Sequence, residues 1–186
     1  MPEHGDGMAL AGPSHALKEA LEALPARGVY VVWFWLPEER WLPVPPPRGL
    51  PLPAGLYAYT GSAQRALPAR LRRHLAGGRT RHWHVDFLRA EAEAIGADVW
   101  PGAPREGECE LACRLAGSSP AAFRPARFGA SDCACPGHLI GWSSPEDGAA
   151  AYQTPQAIHP ELRPVLRAAT PWRVNVPCCE ARRFSR

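Results

Sequence analysis

The chain has 186 residues and a formal net charge of +3, enough length for one well-filled core or one domain with a small appendage. So mild a balance decides nothing for or against a polyanion, and only local clustering of bases can argue for a phosphate partner. No stretch reaches the roughly 18 apolar residues of a membrane span, the longest apolar run being Val29 to Leu36.

The opening MPEHGDGMALAG has neither the basic start nor the apolar stretch of a secretory signal. The expectation is a soluble, cytoplasmic protein whose six Cys are reduced thiols or metal ligands rather than disulfides. Ser14 reads as the cap of a helix from His15 to Leu24, with Leu17, Ala20, Leu21 and Leu24 on one face and Pro25 as its stop. Gly28 to Leu36, GVYVVWFWL, has no polar face and predicts a central strand covered on both sides. A turn at Pro37 to Arg40 leads to a short return strand at Trp41 to Val44. Pro43 to Pro53 contains six prolines and reads as an extended loop. Gly55 to Thr60 is the next strand, with Tyr57 and Tyr59 on one face, followed by a tight turn at Gly61-Ser62.

The helix after that turn can start at Pro68 and stop at Gly77-Gly78. It opens the most basic part of the chain. From Arg65 to Arg89 there are seven Arg and three His against one acid, Asp86, an excess that points to a polyanion such as nucleic acid. All bases but Lys18 are Arg. Arg offers phosphate a planar fork, although a GC-rich genome produces the same Arg, Ala, Pro and Gly excess. Leu67, Leu71 and Leu75 form the helix's apolar stripe; Arg70 and His74 share one edge of it, facing Tyr57 and Tyr59, and Arg72 faces away. On these residues alone, a plain solvated face is the alternative. Arg72, Arg73, Arg79, Arg81 and His84 are candidate nucleic-acid contacts. His82, Trp83 and His84 either stack on or bond nucleic acid, or are a structural Trp between two surface His.

Ala94 to Trp100 predicts a further strand and Glu106 to Ala116 a helix ended by Gly117. Glu108, Leu111, Ala112 and Leu115 share its buried face, whereas Glu110 lies off it with Cys113 and Arg114. A carboxylate in the first turn is favoured by the helix dipole and can hold a hard cation; alternatively it only decorates the helix start. Phe123 to His138 is irregular. Within it Cys133-x-Cys135-x-x-His138, with Asp132 and Cys109, offers a zinc ligand set, the alternative being reduced core thiols beside a hydrogen-bonded His. Leu139 to Trp142 predicts a strand, Glu161 to Ala169 a helix and Trp172 to Val176 a last strand, before a basic tail in which Cys178-Cys179 are inert.

Gly28-Val29-Tyr30 and Tyr59-Thr60-Gly61 resemble the two halves of the signature of the GIY-YIG nuclease superfamily. Arg70-x-x-x-His74 is similar to the helix that follows that signature, and Glu108 to the later helical Glu. The closer resemblance is to a branch of unknown function marked by GSA after the second Tyr, HWHxDFL, ECELA and FGxSDCxCxxHL. Gly61 to Ala63, His82 to Leu88, Glu108 to Ala112 and Phe128 to Leu139 match these, and the resemblance covers about residues 28–142. The 28 residues between Tyr30 and Tyr59 exceed the usual spacing. Gly55-Leu56-Tyr57 is a second candidate for the first motif, so Tyr57 stays an alternative to Tyr30.

The resemblance implies an α+β fold, a small antiparallel sheet flanked by helices with a C-terminal elaboration. Residues 1–27 would be an N-terminal helix and flexible start, 28–142 the nuclease-like domain and 143–186 an extension packed on it. It further implies a metal-dependent endonuclease acting on nucleic acid, DNA foremost, with one Mg²⁺ or Mn²⁺ on Glu108. Arg70 would stabilise phosphoryl charge, Tyr30 would be general base helped by Tyr59, and His74 would orient or exchange a proton with Tyr30. Some relatives are joined to a base-excision DNA glycosylase, which implies a repair partner. Two other functions stay open: a catalytically idle nucleic-acid-binding module, and a zinc-stabilised interaction protein.

Overall fold

Nine consecutive residues without a charge, Gly28–Leu36, form a strand buried along its whole length. The computed structural model describes residues 13–44, 49–77, 80–153 and 163–167. In chain order its elements are α1 (Pro13–Glu22), β1 (Gly28–Leu36), β2 (Arg40–Leu42), β3 (Leu50–Leu52), β4 (Gly55–Ala63), α2 (Leu67–Ala76), α3 (His84–Glu91), β5 (Glu93–Pro101), α4 (Gly107–Ala116), β6 (Leu139–Trp142), α5 (Pro145–Gln153) and β7 (Arg163–Arg167). The main sheet runs β6-β4-β1-β5-β7 with every neighbour antiparallel. The fold is therefore α+β, built on an antiparallel sheet with helices on both faces. Among the described residues no helix is long and apolar enough to cross a membrane.

The strand period of two decides which side chains fill which layer. Tyr30, Val32, Phe34 and Leu36 join Leu67, Leu71 and Leu75 of α2 and Val85 and Leu88 of α3. Val29, Val31, Trp33 and Trp35 join Leu111, Ala112 and Leu115 of α4 and Ala151 and Tyr152 of α5 on the other face. Each large apolar side chain buried this way contributes about 1.5–3 kcal/mol. A one-residue slip of β1 would exchange its two layers, so the register is strongly set.

Several expectations are corrected. Gly61-Ser62 is no turn: β4 continues through Ala63, with Gly61 opposite Tyr30 and Ser62 opposite Val29, because the long β1 supplies a pairing edge that far. The proline-rich stretch is not all loop, since β3 pairs with β2 and sets Pro51 opposite Trp41. A two-stranded ladder is all edge, so the N–H that proline lacks can be spared there. The helix expected at Glu161 to Ala169 is instead β7 over Arg163–Arg167, with Pro164 opposite Asp98 beside a register shift in the pairing. Pro164 disfavours a helix interior, and β5 offers an open edge that accepts a proline at an irregularity.

The sequence showed no helix at α5, whose Ala- and Gly-rich middle has little periodicity. Its start is nevertheless encoded: the Ser144 hydroxyl accepts the Asp147 backbone N–H at 3.3 Å, with Glu146 and Asp147 in the first turn. At the N-terminus, α1 begins at Pro13, so Ser14 lies inside the helix rather than capping it. The strand expected at Trp172 to Val176, and Cys178-Cys179, lie outside the described residues.

Candidate functional site

Where β1 begins and β4 ends, Gly61 faces Tyr30. A Cβ at Gly61 would lie 2.4 Å from the Tyr30 hydroxyl oxygen, so glycine is what lets the phenol cross over β4. The hydroxyl reaches Nε2 of His74, 3.1 Å away on α2. Tyr59, on the same face of β4, meets the His74 ring edge-on at 6.0 Å between centroids. Gly129 backs Tyr59 at φ +72°, where a Cβ would come within 2.8 Å of the ring.

His74 is 2% exposed. Burial holds its pKa down from the ordinary 6.5 to about 4, so the imidazole is neutral at neutral pH. Burial likewise pushes the Tyr30 and Tyr59 phenols well up, so both are protonated. A neutral ring with Nε2 as acceptor takes the Tyr30 O–H bond and carries its own proton on Nδ1. That nitrogen points at Oδ1 of Asp86 from 4.0 Å, too far for a hydrogen bond. Asp86 is held by Arg73 and by the backbone N–H groups of His82 and Trp83, both at 2.8 Å. The one acid of the basic stretch thus caps α3 and sits behind His74.

Arg70, one turn before His74, donates to the Ser62 carbonyl at 2.7 Å, and its guanidinium lies 5.4 Å from the Trp83 ring centroid. Tyr30, Tyr59, Arg70, His74 and Glu108 all line one cleft of about 550 Å³, with Arg65, Trp83, His84 and Arg105 also in its wall. Tyr57 is elsewhere: its hydroxyl donates to the Pro53 carbonyl at 2.5 Å and its ring packs on Phe123. Tyr30, not Tyr57, faces the cleft.

Glu108 enters from the first turn of α4, whereas Glu110 is exposed and pairs with Arg114. One Glu108 oxygen accepts the Ser62 hydroxyl at 2.6 Å. The other lies 2.6 Å from Nδ1 of His138; the ring N–H is not aligned with that oxygen as a hydrogen bond, so the contact is one of charge and proximity. Burial, the largest single influence, opposes charging of His138, but Glu108 and Cys133 together outweigh it and the net direction is upward.

On its far side His138 presents Nε2 to Cys109 and Cys133, whose sulfurs lie 3.6 and 3.5 Å away. With Cys135 these make four ligand atoms all within 4.8 Å of one another. Three soft sulfurs and one imidazole suit zinc better than Mg²⁺ or Mn²⁺, which prefer oxygen. Asp132 is not part of this group; its carboxylate pairs with Arg105.

The expected nucleic-acid contacts scatter. Arg72 is exposed but outside the cleft wall. Arg73 is half-buried, and one of its terminal nitrogens is engaged by Asp86 and the Thr80 carbonyl. Arg81 is exposed and lies 5.6 Å from the Phe87 ring centroid. His84 accepts the Gly129 N–H at 3.0 Å, a structural bond that positions the loop behind Tyr59. Arg79 lies outside the described residues. Sequence reasoning misses the site roles of Ser62, Asp86 and Arg127. Asp86 carries a signal as the lone acid among bases, and Ser62 one as the centre of the GSA match; Arg127 carries none.

A family model described as a domain of unknown function, DUF123, matches residues 29–158. The chain belongs to the DUF123 family. The span that makes it a DUF123 protein runs from β1 past α5 and takes in the cleft and the Cys3His group alike. No curated protein and no solved structure matches the chain.

Proposed function

We propose that this DUF123 protein is a metal-dependent endonuclease that hydrolyses phosphodiester bonds in nucleic acid, DNA foremost, at the Tyr30–Glu108 cleft. The observation that carries the reading is convergence: two tyrosines, an arginine, a neutral histidine and one carboxylate, from β1, β4, α2 and α4, line a single cleft. The GIY-YIG resemblance of those same positions supports it.

Glu108 fits a divalent cation. Its side chain is 14% exposed, and each oxygen has one protein neighbour and keeps a second lone-pair direction. Mg²⁺ is commonly satisfied by one carboxylate together with phosphate oxygens and water. Such a cation, when bound, supplies positive charge to the scissile phosphate and the leaving oxygen.

The remaining work falls to side chains. With both phenols protonated, Tyr30 acts as a relay: its oxygen takes the proton of the attacking water while its own proton passes to Nε2 of His74. His74 can accept because burial keeps it neutral. Asp86 faces the imidazolium that results, from 4.0 Å. Arg70 offers the N–H groups not spent on Ser62 to the phosphoryl oxygens as charge builds. The Trp83 ring beside it limits where the guanidinium can swing.

The test is cleavage of duplex, flap, nicked and abasic DNA and of RNA with Mg²⁺ or Mn²⁺. Metal-dependent products that vanish in Arg70→Ala support the proposal. The abasic arm tests a repair role beside a glycosylase. Binding without cleavage across the panel would replace the nuclease with an idle nucleic-acid-binding module.

A further inference from the structure

We infer that Cys109, Cys133, Cys135 and His138 hold a structural zinc ion, and that its His138 ligand positions Glu108 on the cleft wall. The metal site stands on its own geometry; only its consequence for turnover rests on the nuclease reading.

The distances favour a metal over thiol hydrogen bonds. Tetrahedral zinc with bonds of about 2.3 Å to sulfur and 2.0–2.1 Å to nitrogen puts S and N about 3.5–3.6 Å apart. Nε2 of His138 lies 3.5 Å from Cys133 and 3.6 Å from Cys109. One ring nitrogen has a single lone pair or a single proton, so two thiols cannot both bond it well. A shared cation explains why both converge.

The surrounding chain is built to hold the ligands. The Arg127 guanidinium donates to the carbonyls of both Cys133 and Cys135, at 2.8 and 2.9 Å. Its backbone N–H bonds the Pro136 carbonyl at 2.5 Å, and Arg127 adopts φ +61°, a left-handed conformation costly for a non-glycine residue. The His138 N–H returns to the Phe128 carbonyl at 2.7 Å. Zn²⁺ with three thiolates and a neutral imidazole has a net charge of −1, which the adjacent guanidinium offsets. Binding releases the three thiol protons to solvent.

The link to the cleft is covalent in sequence and short in space. Glu108 and Cys109 are neighbours in the first turn of α4. Cys109 faces Nε2 of His138 while Glu108 sits against Nδ1; this is the order of metal, imidazole and carboxylate in which a carboxylate orients a metal-bound ring, and a small ring rotation on metal binding would align the N–H with the Glu108 oxygen. His138 is 1% exposed and fixes Glu108 in return. Glu108 is a positioning residue toward the zinc.

Protein made in zinc-supplemented medium and purified with a non-chelating reductant is analysed for metal, then stripped and titrated with Co²⁺. The expected result is about one zinc per chain, and a cobalt spectrum with thiolate charge-transfer and tetrahedral bands. Cys133→Ser should lose both. Should that variant not fold, chelator competition on the wild type gives the zinc affinity. Glu108→Gln should keep zinc but bind it about 10–100-fold more weakly, with shifted cobalt bands, as loss of an orienting carboxylate does. Metal content well below one per chain, or cobalt bands without thiolate character, overturns the site. Unchanged zinc affinity and bands in Glu108→Gln overturn the link. Zinc-loaded protein that cuts nothing sinks the nuclease reading alone, and a stripped protein that cuts at the wild-type rate sinks the link alone.

Discussion

Replacing His74 with Gln should remove a specific part of the protein's acid sensitivity. The side chain is buried among the tyrosines, Arg70, Arg73 and Asp86, and its pKa falls from 6.5 to about 4, chiefly through burial. Asp86 pulls the value up while Arg70 and Arg73 push it down. A lowered histidine pKa means that, as pH falls, the unfolded chain takes up the proton first. Stability contributed by the neutral ring is therefore fully present above about pH 6.5, lost progressively towards pH 4, and flat below. Between pH 7.5 and pH 5 the two-state linkage relation gives a loss of about 2 kcal/mol, or about 1 M in the urea midpoint for a typical slope. Urea unfolding of wild type and His74→Gln at the two pH values isolates it, since the carboxylates common to both proteins cancel. The wild type should lose about 2 kcal/mol more than the variant. Parallel losses, or an NMR titration placing the ring near 6.5, would refute a buried neutral His74 and the proton relay with it.

Three further outcomes follow from the geometry. Gly61→Ala should destabilise by about 1–3 kcal/mol, as overpacking does, and displace the Tyr30 phenol; unfolding and cleavage assays read the two effects. Tyr57→Phe should cost about 1 kcal/mol through its lost bond to Pro53 with cleavage intact, whereas Tyr30→Phe should abolish cleavage; the reverse pattern would make Tyr57 the functional tyrosine. Arg70→Ala should remove turnover while leaving nucleic-acid affinity within about tenfold, and Arg81→Ala should lower the slope of log affinity against log salt by about one; equal effects on binding with cleavage unchanged would reduce both to a basic surface.

How much was legible depended on whether a signal was local. β1 and β6 were readable to the residue from uninterrupted apolar runs, and the α2 stripe from Leu67, Leu71 and Leu75 at helical spacing. β7 is not legible in the sequence because Val165-Leu166, in a short segment bounded by Arg163 and Arg167, suits a helix as well as a strand; only the open edge of β5 decides between them. The extension of β4 through Gly61-Ser62 was hidden for a related reason. Gly-Ser reads as a turn in one dimension, and the phenol that demands glycine there comes from Tyr30, a strand away.

The placement of Glu108 shows the same limit at the site. Helical periodicity separated it from Glu110, and the structure keeps them apart, one lining the cleft and the other paired with Arg114 on the surface. What periodicity could not reveal is that Glu108 stands between two chemistries. An oxygen-lined cleft lies on the Ser62 side and a sulfur cluster on the His138 side. The adjacent pair Glu108-Cys109 belongs to both, and His138 joins them through its two nitrogens, 29 residues along the chain from Cys109. A hard cation would not displace soft ligands from the cluster, nor zinc prefer the lone carboxylate to three thiolates. On the proposed reading, the two sites can therefore lie side by side without competing for a metal, and a change at either should be felt through the orientation of one carboxylate.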